Sequence, residues 1–422
     1  MASRAPSRST MLSPISFHPP TLMDPHVAGG TTRRSRRPDW VLLHKSARIS
    51  GHRNTTTAGC HTTEGQAIEV SFWLVDPPGV SYFSVHCPGL NSKDFADEPH
   101  ILCAEAALLL FSVTFVPVPR RRSSSTQHFV YRAGPGKPSL HLIPDSDRIR
   151  RGELFGLFPF GDATGHYAVV CLNKQFIACT NAWRFHVYAF SSVTRSWSSK
   201  VPSSAGLSSE DDQKLLLKHA TCKQIMVGAS SLGWVDLFRG ILLLHDVFGE
   251  CPVIEYVSLP ASRVRHMNEL GHPYIAPEYC CDVSCCDGLI KFVEVEFDDP
   301  GRRTRLQRQS RLESHHMGQD ELELKKLIFY TPTLSKHDDN LLDVVCMVNS
   351  VDDDAWVIAV DMEHAAVEAI APYSTRGRLD VSWHCPCTFP KYLDLSPEDD
   401  VTMHSNERIS DADFVLQSMN NR

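Results

Sequence analysis

The chain has 422 residues, 42% of them apolar and 22% charged, with a formal net charge of −7. That is the balance of a globular chain with a sizeable core, and the length exceeds one ordinary domain, so two domains or one large repeat architecture are the starting readings. Positive charge gathers at the start, leaving an acidic body that disfavours nucleic acid as a partner, and no apolar run reaches the roughly 18–20 residues of a membrane span.

Residues 1–38 hold Arg4, Arg8, Arg33, Arg34, Arg36 and Arg37 against Asp24 alone, among many Ser and Pro. Such a composition is expected to stay disordered. An organelle transit peptide is a second reading of it, and a nuclear-import patch at residues 33–37 a third. The charged, apolar and small-residue succession of a secretory signal is missing. The fourteen cysteines are therefore read as reduced thiols of an intracellular protein, cytoplasmic or nuclear, rather than as a disulfide framework.

Order is expected from Asp39. Residues 68–75 read as a strand running into the turn Asp76-Pro77-Pro78-Gly79, and residues 80–87 return as a strand closed by Pro88. The same strand–turn–strand–proline succession recurs at residues 129–144, 183–202 and 233–260, and again at 356–372. Pro88, Pro144, Pro202 and Pro260 define a repeat of about 57 residues, and the interval to Pro372 is double, which places a degenerate copy near residue 316. A unit of this length holds a four-stranded blade with its loops. Residues 39–396 are accordingly read as one all-β, β-propeller-like domain of six blades, followed by a polar tail at 397–422.

Smaller signals fit between those anchors. Ser209 and Asp212 form a capping box ahead of Leu215-Leu216-Leu217 and predict a short helix over 210–218. Asp287-Gly288 between apolar residues predicts a two-residue hairpin. Beyond it Val293, Val295 and Phe297 alternate with Glu294 and Glu296, as one half-buried strand would. Residues 300–326, with Arg302, Arg303, Arg305, Arg308, Arg311 and His315-His316, read as an exposed insertion loop in the degenerate copy.

The stretch Gly233–Asp246, together with residues 38–43, 78–83 and 287–294, resembles a family of plant proteins catalogued as domain of unknown function 1618. The resemblance covers roughly residues 38–395. The family has no established activity, so it implies no catalytic, cofactor-binding or metal-binding residues for this chain. Where the family tends to place tryptophan-containing strands after Lys291-Phe292-Val293-Glu294, this chain has its Arg-rich stretch.

The metal-ligand candidates weighed are Cys280, Cys281, Cys285 and Cys286, with His266 and His272 upstream and Cys385 and Cys387 downstream. On a strand, Cys281 and Cys285 share a face but stand roughly 13 Å apart, too far for one zinc ion, and Cys-x2-Cys spacing is lacking. Buried small thiols are the reading kept, with no cofactor. Gly228–Gly233 fails as a nucleophile elbow because Leu232 stands where glycine is needed, and Gly134–Ser139 fails as a phosphate loop because Pro138 splits the Lys-Ser pair. Trp183, Trp197, Trp234 and Trp356 read as core residues at equivalent strand positions. The function expected on this basis is a non-enzymatic interaction module whose loops meet another protein. The competing expectation is an enzyme or small-molecule binder using the central channel, recognisable by charged side chains converging on the inner strands, which read as mostly apolar. Oligomeric state is left open.

Overall fold

The computed structural model describes residues 38–116, 125–134, 136–144, 154–160, 165–177, 182–204, 207, 209–260, 277–286, 288–299, 303–305, 328–336, 338, 340–347, 354–364, 366–374 and 384–393. The tails assigned to 1–38 (but for Pro38) and 397–422, and the insertion assigned to 300–326 (but for Arg303–Arg305), lie outside these.

Nearly every described element is a strand. The first blade contains β1 (Val41–His44), β2 (Arg48–Ile49), β3 (Ala58–His61), β4 (Ala67–Trp73) and β5 (Val80–His86). The second runs through β6 (His100–Glu105), β7 (Leu108–Phe115), β8 (Ser125–Arg132) and β9 (Ser139–Ile143), and the third through β10 (Leu154–Pro159), β11 (Tyr167–Ile177), β12 (Ala182–Ser191) and β13 (Ser196–Lys200). Helix α1 (Glu210–Lys218) leads into the fourth: β14 (Lys223–Val227), β15 (Ser231–Asp236), β16 (Gly240–His245) and β17 (Val253–Ser258). Two separate antiparallel pairs follow, β18 (Cys281–Cys286) with β19 (Leu289–Glu294) and β20 (Glu296–Asp299) with β21 (Arg303–Arg305). The last blade is β22 (Ile328–Leu334), β23 (Leu341–Met347), β24 (Asp354–Asp361) and β25 (Ala366–Ser374), after which β26 (His384–Cys387) returns to pair antiparallel with β1.

Local sequence explains the elements. The Ser209 hydroxyl accepts from the Asp212 amide, and the Asp212 carboxylate accepts from the Ser209 amide, which fixes the start of α1. Gly288 has φ of 78°, the left-handed conformation the Asp-Gly turn needs between β18 and β19. At Gly240 the constraint is close approach instead: an added Cβ would stand 2.5 Å from the Val257 carbonyl oxygen and 2.7 Å from the Tyr256 ring. Middle strands such as β7 and β15 are buried almost throughout and read as continuous apolar runs, while the outermost strand β17 alternates between exposed and covered residues.

Adjacent blades are joined by face-to-face apolar layers, and these follow one another round a ring. Phe72, Phe83, Phe111, Phe129 and Tyr131 join the first blade to the second. Leu110, Val130, Leu157 and Val169 join the second to the third, and Val170, Val187, Trp234 and Leu244 the third to the fourth. Val235, Ile241 and Val283 carry the fourth onto the β18–β19 hairpin, Val293 packs against the layer of Leu334, Leu342 and Val344, and Leu42, Val345 and Val357 return to the first blade. Each fully covered side chain of this kind contributes about 1.5–3 kcal/mol.

The β-propeller-like fold stands, and the blade count is corrected. Five sheets of four or more strands are present among the described residues rather than six, and the place between the fourth blade and the last is held by two-stranded pairs. That is where the repeat was expected to degenerate. The single alternating strand expected over 293–297 is broken at Val295, which is 1% exposed and separates β19 from β20. Pro144, Pro202 and Pro260 follow the outermost strands of their blades, but Pro88 follows β5, an interior strand of the first sheet, whose order is β26-β1-β5-β4-β3. The tryptophans do not share one position either: Trp234 lies on the second strand of its blade, Trp356 on the third and Trp197 on the fourth. Among the described residues no helix is long and apolar enough to cross a membrane.

Candidate functional site

The inner strands β6, β14, β18, β22 and β26 converge on a cavity of about 710 Å³ at the centre of the ring. Four lysines line it (Lys45, Lys223, Lys336 and Lys391), as do four carboxylates (Glu105, Glu278, Asp282 and Asp338), five thiols (Cys103, Cys222, Cys285, Cys286 and Cys385) and His384. The inner strands themselves are mostly apolar, and only Glu105, Lys223 and Asp282 of these eight charged residues lie on them; the rest come from the segments that flank them.

The charges are tied across blades. Lys223 Nζ on β14 lies 2.6 Å from Asp282 Oδ1 on β18, and Asp282 Oδ2 accepts from the Leu334 amide on β22 at 2.9 Å. Asp282 is thereby a three-blade junction as well as a cavity wall. Lys336, just past β22, donates to Glu105 Oε2 at 3.2 Å and to the Ala104 carbonyl at 3.3 Å, both on β6. Burial works to lower the Lys336 ammonium, but Glu105 and the thiols Cys385 and Cys387 outweigh it and hold it above its ordinary value. Burial pushes the Glu278 carboxyl up, against a hydrogen bond from Cys222.

His384 is 7% exposed, packs edge-on against Tyr373 with ring centroids 5.1 Å apart, and has no partner for Nε2 among the described residues. Burial, then His44 and Lys45, lower it to about 3, so it is a neutral imidazole at pH 7. The thiols divide into two kinds. Burial raises Cys103, Cys222 and Cys285. Cys385 alone among the lining thiols with a shift is lowered, to about 6, by the neighbouring Cys387 thiol and then, against burial, by Lys45, Lys336 and Lys223. The single proton of Cys387 is within reach of the Cys385 carbonyl, with Sγ 3.1 Å from that oxygen, and serves the Cys385 sulfur only when it turns away; the lysines act in either case.

The four cysteines weighed as metal ligands lie on or beside β18. Cys280 and Cys281 are buried with their sulfurs 3.6 Å apart, and Cys286 Sγ donates to the Ser335 carbonyl at 3.8 Å. His266 and His272 lie outside the described residues. Among the described residues no group of three or more His, Cys, Asp or Glu is placed to share a metal ion. What brings Cys285, Cys286 and Cys385 together is the cavity wall, together with Lys45, Glu105, Lys223, Asp282 and Lys336, none of which the sequence singled out. The available signal was an ionisable residue inside a strand of otherwise covered residues, as Asp282 is in β18, and reading it requires knowing which strand of each blade is innermost.

No curated protein matches the chain. Residues 234–358, from the tryptophan of β15 into β24, match the model of the family described as protein of unknown function (DUF1618), so the chain is similar to that family over this span, which takes in most of Gly233–Asp246 and residues 287–294.

Proposed function

We propose that the central channel is the functional site and that it binds a small polar molecule. The observation that carries this reading is the convergence of four lysines and four carboxylates, from inner strands and the segments that flank them, on one cavity of about 710 Å³. That volume lies in the range of roughly 300–1,000 Å³ usual for small-molecule sites, and convergent polar groups are what orient a ligand in one. Both signs of charge are present in equal number, which favours a zwitterionic or uncharged polar ligand over a simple anion or cation. The reading as a protein-interaction module rests on a rigid scaffold with variable loops, and a scaffold by itself does not assign a partner.

The test is thermal unfolding of the full chain against a panel of zwitterionic, uncharged polar, anionic and cationic small molecules, repeated on Asp282→Asn and Lys223→Met. A zwitterionic or uncharged compound that raises Tm in the wild-type chain and not in the folded variants supports the site. Stabilisation that survives both substitutions, or no stabilisation by any compound alongside a stoichiometric protein partner bound through the loops, overturns it in favour of the interaction module.

A further inference from the structure

We propose that Ser231, His245 and Glu255 form a hydrolytic triad on the fourth blade and that its substrates are esters of short apolar acyl groups. This activity goes beyond the channel reading and does not depend on it. Ser231 opens β15 and His245 closes β16, so one further step of the ladder past Leu232↔Leu244 sets them side by side. Glu255 lies on β17, diagonal to His245, whose direct partner on that strand is Val253. The side chains meet in that order. Ser231 Oγ is 3.2 Å from His245 Nδ1, and His245 Nε2 is 3.1 Å from Glu255 Oε1. Three consecutive strands of one sheet thus hold a nucleophile, a base and a carboxylate in a row, on rigid elements rather than on loops. Ser231 is 7% exposed at the foot of the exposed turn at residues 228–230, while the His245 and Glu255 side chains are 38% and 53% exposed, so a small molecule reaches the row from solvent. The turn belongs to the segment that fails as a nucleophile elbow. There Ser230 would react, whereas the sheet sets Ser231 against a histidine.

The carboxylate decides the tautomer. Glu255 accepts from Nε2–H, which leaves Nδ1 to accept from the Ser231 hydroxyl; the two imidazole nitrogens serve in the reverse of the usual order with their roles unchanged. In acylation the Ser231 oxygen attacks the ester carbonyl carbon, its proton passes to Nδ1, and Glu255 holds the imidazolium. Collapse of the tetrahedral oxyanion returns that proton to the departing alkoxide, which leaves as the alcohol. Water then attacks the acyl-serine through the same base, releasing the carboxylic acid and restoring the hydroxyl, with no oxidant or cofactor needed. The amides of Ala229 and Ser230, just before the nucleophile in the chain, donate to no acceptor among the described residues and are at hand for the oxyanion. Val227 stands directly opposite Ser231 and is partly buried in the layer that also holds Ile290, so the contact beside the hydroxyl is apolar and small, which suits a short acyl group.

The experiment is labelling of the full chain with a biotinylated alkyl fluorophosphonate, located by peptide-resolved mass spectrometry, beside hydrolysis of p-nitrophenyl acetate. Thermal unfolding shows that each sample is folded. The adduct is expected on Ser231, and Ser231→Ala should lose both the adduct and ester turnover. His245→Gln should slow labelling by about 10²–10⁴-fold, the contribution of a positioned general base. Glu255 touches the base and not the ester, so it is a positioning residue. Glu255→Ala should slow labelling less than the histidine change and leave Tm at the wild-type value, since the side chain is half exposed. The same variant carries the test if His245→Gln does not fold. Labelling of Ser231 at the wild-type rate in the folded variants, label on another serine alone, ester turnover that persists in Ser231→Ala, or no label on the folded wild-type chain each overturns the triad.

Discussion

At the scale of single residues, Asp343 on β23 is the least comfortable group in the fold. It is 1% exposed, and neither carboxylate oxygen has a hydrogen-bond partner among the described residues. Burial pushes its carboxyl up to about 7. Its folded value lies above the unfolded one, so the folded chain holds this proton more tightly, and stability falls as pH rises from the unfolded value through 7. His128, lowered by burial to about 4, and His384, lowered to about 3, act in the opposite sense, because the unfolded chain takes up their protons first as pH falls below about 6.5. The net pH profile therefore does not isolate Asp343, but a difference between two chains does. Asp343→Asn should gain about 2.5 kcal/mol over wild type on going from pH 5 to pH 8, measured by urea unfolding at both values. An equal difference at the two pH values would show that the carboxyl is solvated and already ionised at pH 5. No sequence pattern announces such a group, since Asp343 stands among Leu341, Leu342, Val344 and Val345 as an ordinary interruption of an apolar strand.

At the scale of elements, what the chain wrote locally is what the sequence let one read. The helix at Glu210–Lys218 depends on Ser209 and Asp212, three residues apart, and the β18–β19 hairpin on the adjacent pair Asp287-Gly288. Each is decided within one turn, so no distant contact has to be known. The run from β15 to β17 was legible for the same reason, and Gly240 is its most exacting position. Residues on β16 are buried on both faces between β15 and β17, and the space above Gly240 is filled by the Val257 carbonyl and the Tyr256 ring. Gly240→Ala would force one of these outward. A cost of about 1–3 kcal/mol is expected, visible as a lower urea midpoint with an unchanged slope. Alanine at Gly288 tests a different mechanism, because nothing lies within 4 Å of that position and the strain comes from φ of 78° alone. If Gly240→Ala were neutral, the strand would have to shift relative to β17, and the pairing of Gly240 with Ser258 would be looser than the ladder shows.

At the scale of the whole molecule, the ring was legible in the sequence and the site at its centre was not, because the site exists only once the ring closes. Lys45, Glu105, Lys223, Asp282, Lys336 and Cys385 are scattered from the first strands to the last, and only closure of the ring makes them neighbours. A proline count gave the period of the chain but not which copies keep four strands, because the strands of a blade are specified by their partners across a sheet rather than by the residue that ends them. Closure itself falls to the last described segment. β26 pairs with β1 from Val41↔Cys387 to His44↔His384, and Phe389, fully buried just beyond it, sits 4.9 Å from the Phe72 ring and 6.0 Å from the Tyr131 ring. The C-terminal segment is thus anchored in the layer between the first two blades, and its loss should leave β1 as an unpaired edge. Phe389→Ala is expected to cost about 3–5 kcal/mol through the cavity it leaves. If the seam governs the ring, unfolding followed by tryptophan fluorescence should shift as one transition, since Trp40, Trp234 and Trp356 lie in different interblade layers or blade faces. A split transition, with the Trp234 layer unfolding at its wild-type midpoint, would instead mean that the blades are stabilised pairwise and that the chain ends merely lie against a ring already closed by its other layers.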